Sequence, residues 1–298
     1  MKFQIFNNKF IIFYLIILFL IIFEIILRNI GFGDPVLYEN KKNYYPKYNQ
    51  DIKRFKNSKV VINNFGMRTN YNWDNSVNLK KIIFFGDSVS FGGSYIDNSE
   101  LFSDKLCIMI SNSICGNYGV NGYRIENLKL RINEVKNKFE FDHLIIVVSE
   151  SIEMGKSEFQ DFPFYKKFNY KIFKSTREII NHILFRYNLM DNYHNETKTI
   201  NKKNDYNENS INDLILILNE ISNSKTKVKI IILPTLENLK KDKIKKHFLE
   251  NINSDQIEVL NMFGNFKKIN YEKLYFNNAH LNKKGHDYFA NIIYDTIK

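Results

Sequence analysis

KKIIFFGDSVSFGG, Lys80 to Gly93, is the stretch whose reading decides the fold. Ile82–Phe85 is an unbroken apolar, β-leaning run, the pattern of a strand buried on both faces of a parallel sheet. It stops at Gly86-Asp87-Ser88. A glycine there relieves the backbone at a tight turn, and the small polar residues can cap a following helix. The Ser88 hydroxyl is thereby expected at the carboxyl end of a central strand, where open α/β sheets place their chemistry. Alone, Gly-Asp-Ser also fits an ordinary strand-to-loop turn, so its meaning depends on partners elsewhere in the chain.

Downstream, apolar runs and helical spacings alternate. Leu101–Ile110 has helical spacing, and Ser113–Cys115 is a short strand leading into Asn117–Tyr123. Ile125–Phe139 reads as an amphipathic helix with Ile125, Leu128, Ile132 and Val135 on one face. Leu144–Val148, Val228–Leu233 and Ile257–Leu260 are further strands, and Gly285–Ile297 is a closing helix. This alternation implies a parallel sheet in a three-layer α/β/α domain over residues 80–298. An insertion at about 151–210 interrupts it. Within it, Phe173–Leu189 reads as helix and the Asn/Lys/Glu-rich Asp191–Asn209 as a loop. Phe159–Tyr170 is rich in aromatics and suits packing, a lid or a sugar-stacking surface.

Upstream, Phe10–Phe23 is uninterrupted apolar sequence, extended past Glu24 by Ile25–Leu27. As a helix, residues 10–27 would span about 27 Å, close to a bilayer core of about 30 Å. No small-residue cleavage site follows Leu27, which favours an uncleaved anchor over residues 1–30. Lys2 and Lys9 lie on one side of it, and Arg28, Lys41, Lys42 and Lys47 on the other. That balance does not favour a cytoplasmic N-terminus. The short head before the apolar run nevertheless resembles a signal-anchor, which places the main domain outside the cytoplasm in a single-pass membrane protein. Residues 31–79 form a connector that wraps the domain edge, with Val60–Ile62 as a short strand; for Arg68, in NNFGMR, the alternative is a substrate role.

The 298 residues carry a formal net charge of +11. The lysines are scattered through polar stretches without an arginine-rich stripe, which points to a solvated surface and away from nucleic acid. Cys107 and Cys115 match no zinc or redox spacing, and sequence leaves their pairing open.

A serine is a weak nucleophile and needs a base within hydrogen-bond reach. His280, in Asn277–His286 just before the last helix, is the best placed, because that loop returns to the carboxyl edge of the sheet. His143, His182, His194 and His247 read as surface or capping residues, and His286 as structural. For a developing oxyanion, the Ser88 and Gly122 backbone N–H groups are candidate donors.

GDSV at 86–89, NYGVNG at 117–122 and NAHLNKKGH at 278–286 resemble, in order and spacing, three blocks of the SGNH (GDSL-type) hydrolase family. The anchor and NNFGMR lead-in resemble its membrane-anchored members associated with bacterial surface polysaccharides. The resemblance implies a flavodoxin-like α/β/α fold and ester hydrolysis or acyl transfer without metal or cofactor. It implies Ser88 as nucleophile, His280 as base, and the Ser88 amide and Gly122 in the oxyanion hole. Two positions depart from the family pattern. Ser151 stands nearest to the usual oxyanion-hole asparagine, and Asn277 replaces the usual aspartate three residues before the histidine. The chain therefore works as a Ser–His dyad, borrows a carboxylate such as Glu150 or Glu153, or has lost most activity. The expected function is a membrane-anchored esterase or O-acyltransferase acting on an acylated, most simply acetylated, surface carbohydrate. The alternative is a degenerate relative that binds glycan or scaffolds an assembly. A nucleotide binder fits poorly, because the first turn lacks a G-x-G-x-x-G or Walker pattern.

Overall fold

A computed structural model describes residues 2–40, 43–73, 78–157, 172–186, 208–222, 225–244, 246–252 and 254–297. Five parallel strands form the central sheet: β5 (Lys80–Gly86), β6 (Ser113–Gly119), β7 (His143–Ser149), β8 (Lys227–Leu233) and β9 (Ile257–Asn261). Their order is β6-β5-β7-β8-β9, the doubly wound 2-1-3-4-5 arrangement. Alternate residues of each apolar run serve opposite faces. Ile83, Phe85, Leu144 and Ile146 pack with α4 (Ile125–Val135) and α6 (Glu208–Ser222). Ile82, Phe84, Ile145 and Val147 pack with α3 (Phe102–Met109), α8 (Phe263–Lys267) and α9 (Lys283–Ile297). Two apolar cores on a shared sheet make the three-layer α/β/α fold.

Several elements differ from their sequence reading. β6 runs on to Gly119, because the Asn117 that broke the apolar pattern is buried with its amide satisfied by Ser90 O at 2.8 Å and Gly119 N at 2.8 Å. α4 ends at Val135. α6 was not anticipated, although Leu214, Leu218 and Ile221 show its buried face at helical spacing. Phe159–Tyr170, His194 and most of Asp191–Asn209 lie outside the described residues. His143 and His247 are buried, and His247 caps a short 3-10 turn through Leu249 N at 3.2 Å, so neither is a surface residue. Cys107 and Cys115 form a disulfide joining α3 to β6.

The polypeptide before β5 is folded onto the domain. α1 (Lys2–Ile30) leads to two antiparallel pairs, β1 (Tyr38–Asn40) with β2 (Tyr44–Pro46) and β3 (Gln50–Lys53) with β4 (Lys59–Ile62). Val36, Tyr38, Tyr44, Val60 and Ile62 share a third core with Phe91, Val120 and Tyr123. Arg68 sits beneath it, 1% exposed. Its guanidinium donates to Asn98 Oδ1 at 3.0 Å, to Phe91 O and Gly93 O at 2.6 Å each, and to Ile96 O at 2.5 Å. It also stacks on the Phe91 ring at 4.7 Å. Arg68 therefore has no substrate-facing role; it clamps the loop that follows Ser88.

Candidate active site

The site is assembled where β5 and β6 end. At Gly86 the chain passes so close to β7 that a Cβ would lie 1.8 Å from Val147 O, which leaves room only for glycine. Asp87 then caps α2 (Ser88–Phe91), its carboxylate accepting from Val89 N at 3.0 Å and from Ser149 N at 3.3 Å. Burial pushes the Asp87 carboxyl up to about 6 against those hydrogen bonds. One buried side chain thus pins the turn to the end of β7. Ser88 is the first residue of α2 and is half-buried.

His280 reaches Ser88 from the loop ahead of α9. The loop is closed by Phe276 N donating to His280 O at 2.8 Å and by Asn282 Nδ2 donating to Lys273 O at 2.8 Å. His280 Nε2 stands 2.8 Å from Ser88 Oγ. On the other side of the ring, Nδ1 stands 3.0 Å from Asn277 Oδ1. The same oxygen accepts the Ala279 N–H at 3.0 Å and the His280 N–H at 2.9 Å. Two backbone donors fix which end of the amide is oxygen. An oxygen facing Nδ1 requires Nδ1 to carry the proton, so Nε2 presents its lone pair to the Ser88 hydroxyl. A neutral asparagine therefore enforces the tautomer that a general base needs. Desolvation holds the His280 pKa below the usual histidine value.

The pocket in front of this pair has a volume of about 340 Å³. Ser88, His280 and Asn277 line it together with Gly122 (φ +77°) and Asn121. Val36, Phe55, Arg54 and Glu178 also line it. Those two charges are buried and paired, Arg54 Nη2 to Glu178 Oε1 at 2.6 Å. Burial alone would raise the Glu178 pKa; hydrogen bonds from His182, Arg54 and the Gly33 amide outweigh it and hold it at about 2. A larger cleft of about 1650 Å³ opens at the amino ends of the strands, around Lys80, His143 and Lys227, away from Ser88.

Ser151 is not part of this pocket. It is exposed, and its hydroxyl lies 2.7 Å from Ser149 Oγ. Neither acidic helper reaches the histidine. Glu150 is buried against Thr235 Oγ1 at 2.6 Å and Asn238 Nδ2 at 2.9 Å, and Glu153 pairs with Arg124 at 2.7 Å. Sequence reasoning missed Asn121, whose Nδ2 lies 3.3 Å from Tyr38 Oη at the pocket wall. Its signal was its place directly before Gly122. His286 is buried, with Nδ1 3.4 Å from Phe102 N and its pKa pushed down to about 3 by burial, and it does not line the pocket.

No protein-family model and no curated protein matches the chain. Among solved structures it is similar to a member of the lipolytic G-D-S-L family from Veillonella parvula, with 14% identity, 73% of this chain and 98% of that one covered, and a TM-score of 0.40. It is also similar to a lipase/acylhydrolase from Enterococcus faecalis, with 14% identity, coverages of 74% and 95%, and a TM-score of 0.40. A catalytic mutant of an acetylxylan esterase from Geobacillus stearothermophilus shows 13% identity, coverages of 74% and 94%, and a TM-score of 0.35.

Proposed function

We propose that the chain is a serine esterase or O-acyltransferase of the SGNH (GDSL-type) kind, with Ser88 as nucleophile, His280 as base and Asn277 as its orienting partner. The observation that carries this reading is the relay from Asn277 Oδ1 through His280 to Ser88 Oγ, at 3.0 and 2.8 Å. In it, His280 Nε2 takes the hydroxyl proton as Oγ bonds to the ester carbonyl carbon. The oxyanion that forms is met by the N–H groups of Ser88 and Gly122, with Asn121 Nδ2 as the side-chain donor in the place first expected of Ser151. Collapse expels the alcohol, which receives the proton from His280 and leaves an acyl group on Ser88. Water or a sugar hydroxyl then accepts that group by the same steps in reverse.

Residues 80–298 serve as the catalytic domain, with 31–79 as the connector that completes the pocket and 1–30 as a membrane anchor. α1 supports the anchor: within Phe10–Ile30 an 18-residue window has a mean hydropathy of 3.2, and the span is long enough to cross a bilayer. The Cys107–Cys115 disulfide suits an oxidising compartment and so an extracytoplasmic domain. The substrate in this reading is an acylated, most simply acetylated, surface carbohydrate.

The test uses the full chain in detergent, as wild type and Ser88→Ala, with a chromogenic acetyl ester and a serine-reactive fluorophosphonate. Turnover and labelling in wild type alone are expected. A folded wild type that does neither overturns the catalytic reading and leaves glycan binding as the function to measure.

A further inference from the structure

The bare surface of α1 does not end where the folded domain begins. Glu24 is buried and points into the protein, where its carboxylate accepts Ser175 N at 3.0 Å, Thr176 N at 2.9 Å and Thr176 Oγ1 at 3.0 Å. It therefore caps the amino end of α5 (Lys174–Arg186) with an acceptor from another helix. Glu24 precedes the end of α1 by six residues, about 9 Å along a helix axis. The start of α5 consequently lies beside the last turns of α1 and not beyond them. In those same turns Ile25, Ile26 and Ile30 are 52%, 48% and 48% exposed, while Leu27 is buried. Ile25, Ile26 and Ile30 thus leave apolar surface uncovered in the last turns of α1, beside exposed Arg28 and Asn29, at the level where the start of α5 is docked.

α5 carries matching surface. Ile180 and Ile183 are each 48% exposed, and Ile172, just before the helix, is 75% exposed. Residues three apart share a helix face. The opposite side of α5 is fixed to the site: Glu178 accepts Gly33 N at 2.5 Å and pairs with Arg54, which donates to Gly31 O at 3.0 Å. Glu178 and His182 also line the pocket that holds Ser88. A single helix therefore starts beside the last turns of α1, shows isoleucines to the outside and lines the pocket with its other face.

We propose that α5 is an interfacial helix, seated on the lipid surface in which α1 is anchored, and that it holds the catalytic pocket against that surface. This rests on α1 being a membrane anchor. Exposed isoleucines beside an apolar span gain by entering the headgroup and acyl boundary.

The test measures depth. Full-length protein with Ile180→Cys or Ile183→Cys carries an environment-sensitive fluorophore in vesicles of phosphatidylcholine and phosphatidylglycerol with brominated acyl chains. Ile108→Cys, at a position 73% exposed on α3, reports water, and Leu20→Cys, within α1, reports the bilayer. Fluorophosphonate labelling of Ser88 verifies folding of each variant. Quenching at 180 and 183 several-fold stronger than at 108 is expected. Quenching no stronger than at 108, with strong quenching at 20, overturns the interfacial helix while leaving the anchor intact. Absence of quenching at 20 as well overturns the anchor, and this proposal with it.

Discussion

Asn277 Oδ1 lies 3.0 Å from His280 Nδ1 while accepting two backbone N–H groups from its own loop. Orientation and charge are separate contributions of the acid in a serine triad, and this residue supplies the first without the second. In the serine-protease example of aspartate replaced by asparagine, turnover falls by about 10⁴ because the wrong tautomer results. The two backbone donors remove that fault here. What Asn277 does not supply is a carboxylate to stabilise the imidazolium. Asn277→Asp is therefore expected to raise kcat and to raise the His280 pKa, moving the acidic limb of the kcat/KM profile to higher pH. In the wild type that limb lies below the ordinary histidine value, because desolvation lowers the His280 pKa. Asn277→Ala frees the ring and is expected to lower kcat by roughly 10²–10⁴. A pH–rate series on the three proteins checks both, and an Asn277→Ala enzyme as fast as wild type would remove Asn277 from the relay.

Arg68 holds the loop that follows Ser88 through four hydrogen bonds, three of them to the carbonyls of Phe91, Gly93 and Ile96. The Phe91 and Ile96 carbonyls accept in buried bonds and are left without a donor once the guanidinium is gone. Arg68→Met is expected to destabilise the fold by about 3–5 kcal/mol, the range for removing one partner of a buried charged arrangement. Arg68→Lys recovers less than half, since a single ammonium cannot span the fork. Urea unfolding of the three proteins measures this. A loss within experimental error of zero would mean that the loop is held by something other than Arg68.

The legibility of this chain followed the chemistry of each segment. The strands β5, β7, β8 and β9 could be read from Ile82–Phe85, Leu144–Val148, Val228–Leu233 and Ile257–Leu260, because a doubly buried strand has to be apolar at every position. The far half of β6 could not, because Asn117 and its glycines obey the site and not the core. Ser88 and His280 were visible as residue types, but the value of Asn277 was not: it depends on two backbone hydrogen bonds that a sequence does not display. Ser151 was misplaced because its distance from β7 in sequence says nothing about the direction of its side chain, which turns to Ser149. That 31–79 wraps the domain edge could be read, but the burial of Arg68 as the hub of that contact could not, since its acceptors are backbone carbonyls that a sequence does not display.

Asp104 in α3 is buried, and one of its carboxylate oxygens has no hydrogen-bond partner among the described residues. Burial raises its carboxyl from 3.8 to about 7; Arg68 opposes the shift and Asp97 adds to it. The native state therefore keeps a proton that the unfolded chain releases near 3.8. Stability from this group is present below that value and is lost as pH rises toward 7. Asp104→Asn keeps the neutral form at every pH. It is expected to flatten stability across pH 4–7 and to raise it at pH 8 by up to ~4 kcal/mol, at about 1.4 kcal/mol per pH unit of displacement. Asp87, raised to about 6 for the same reason, contributes a change of the same sign over a narrower pH range. Urea midpoints between pH 4 and 8 decide it, and a variant less stable than wild type at pH 8 would show that the carboxylate is stabilising.

Asn121 and Ser151 make opposite predictions for the oxyanion. Asn121 lines the pocket next to Gly122, whereas the Ser151 hydroxyl is taken up by Ser149, outside it. Removing a donor aimed at the developing oxyanion costs about 10²–10³ in kcat with little change in KM, because the bond forms only in the transition state. Asn121→Ala is expected to show that pattern, softened because the Ser88 and Gly122 amides remain. Ser151→Ala is expected to keep kcat within about twofold of wild type, as befits an exposed serine. Steady-state kinetics on an acetyl ester separate the two. If Ser151→Ala lost activity and Asn121→Ala kept it, the loop after β7 would have to close onto Ser88 when substrate binds, and the oxyanion would belong to that closed arrangement.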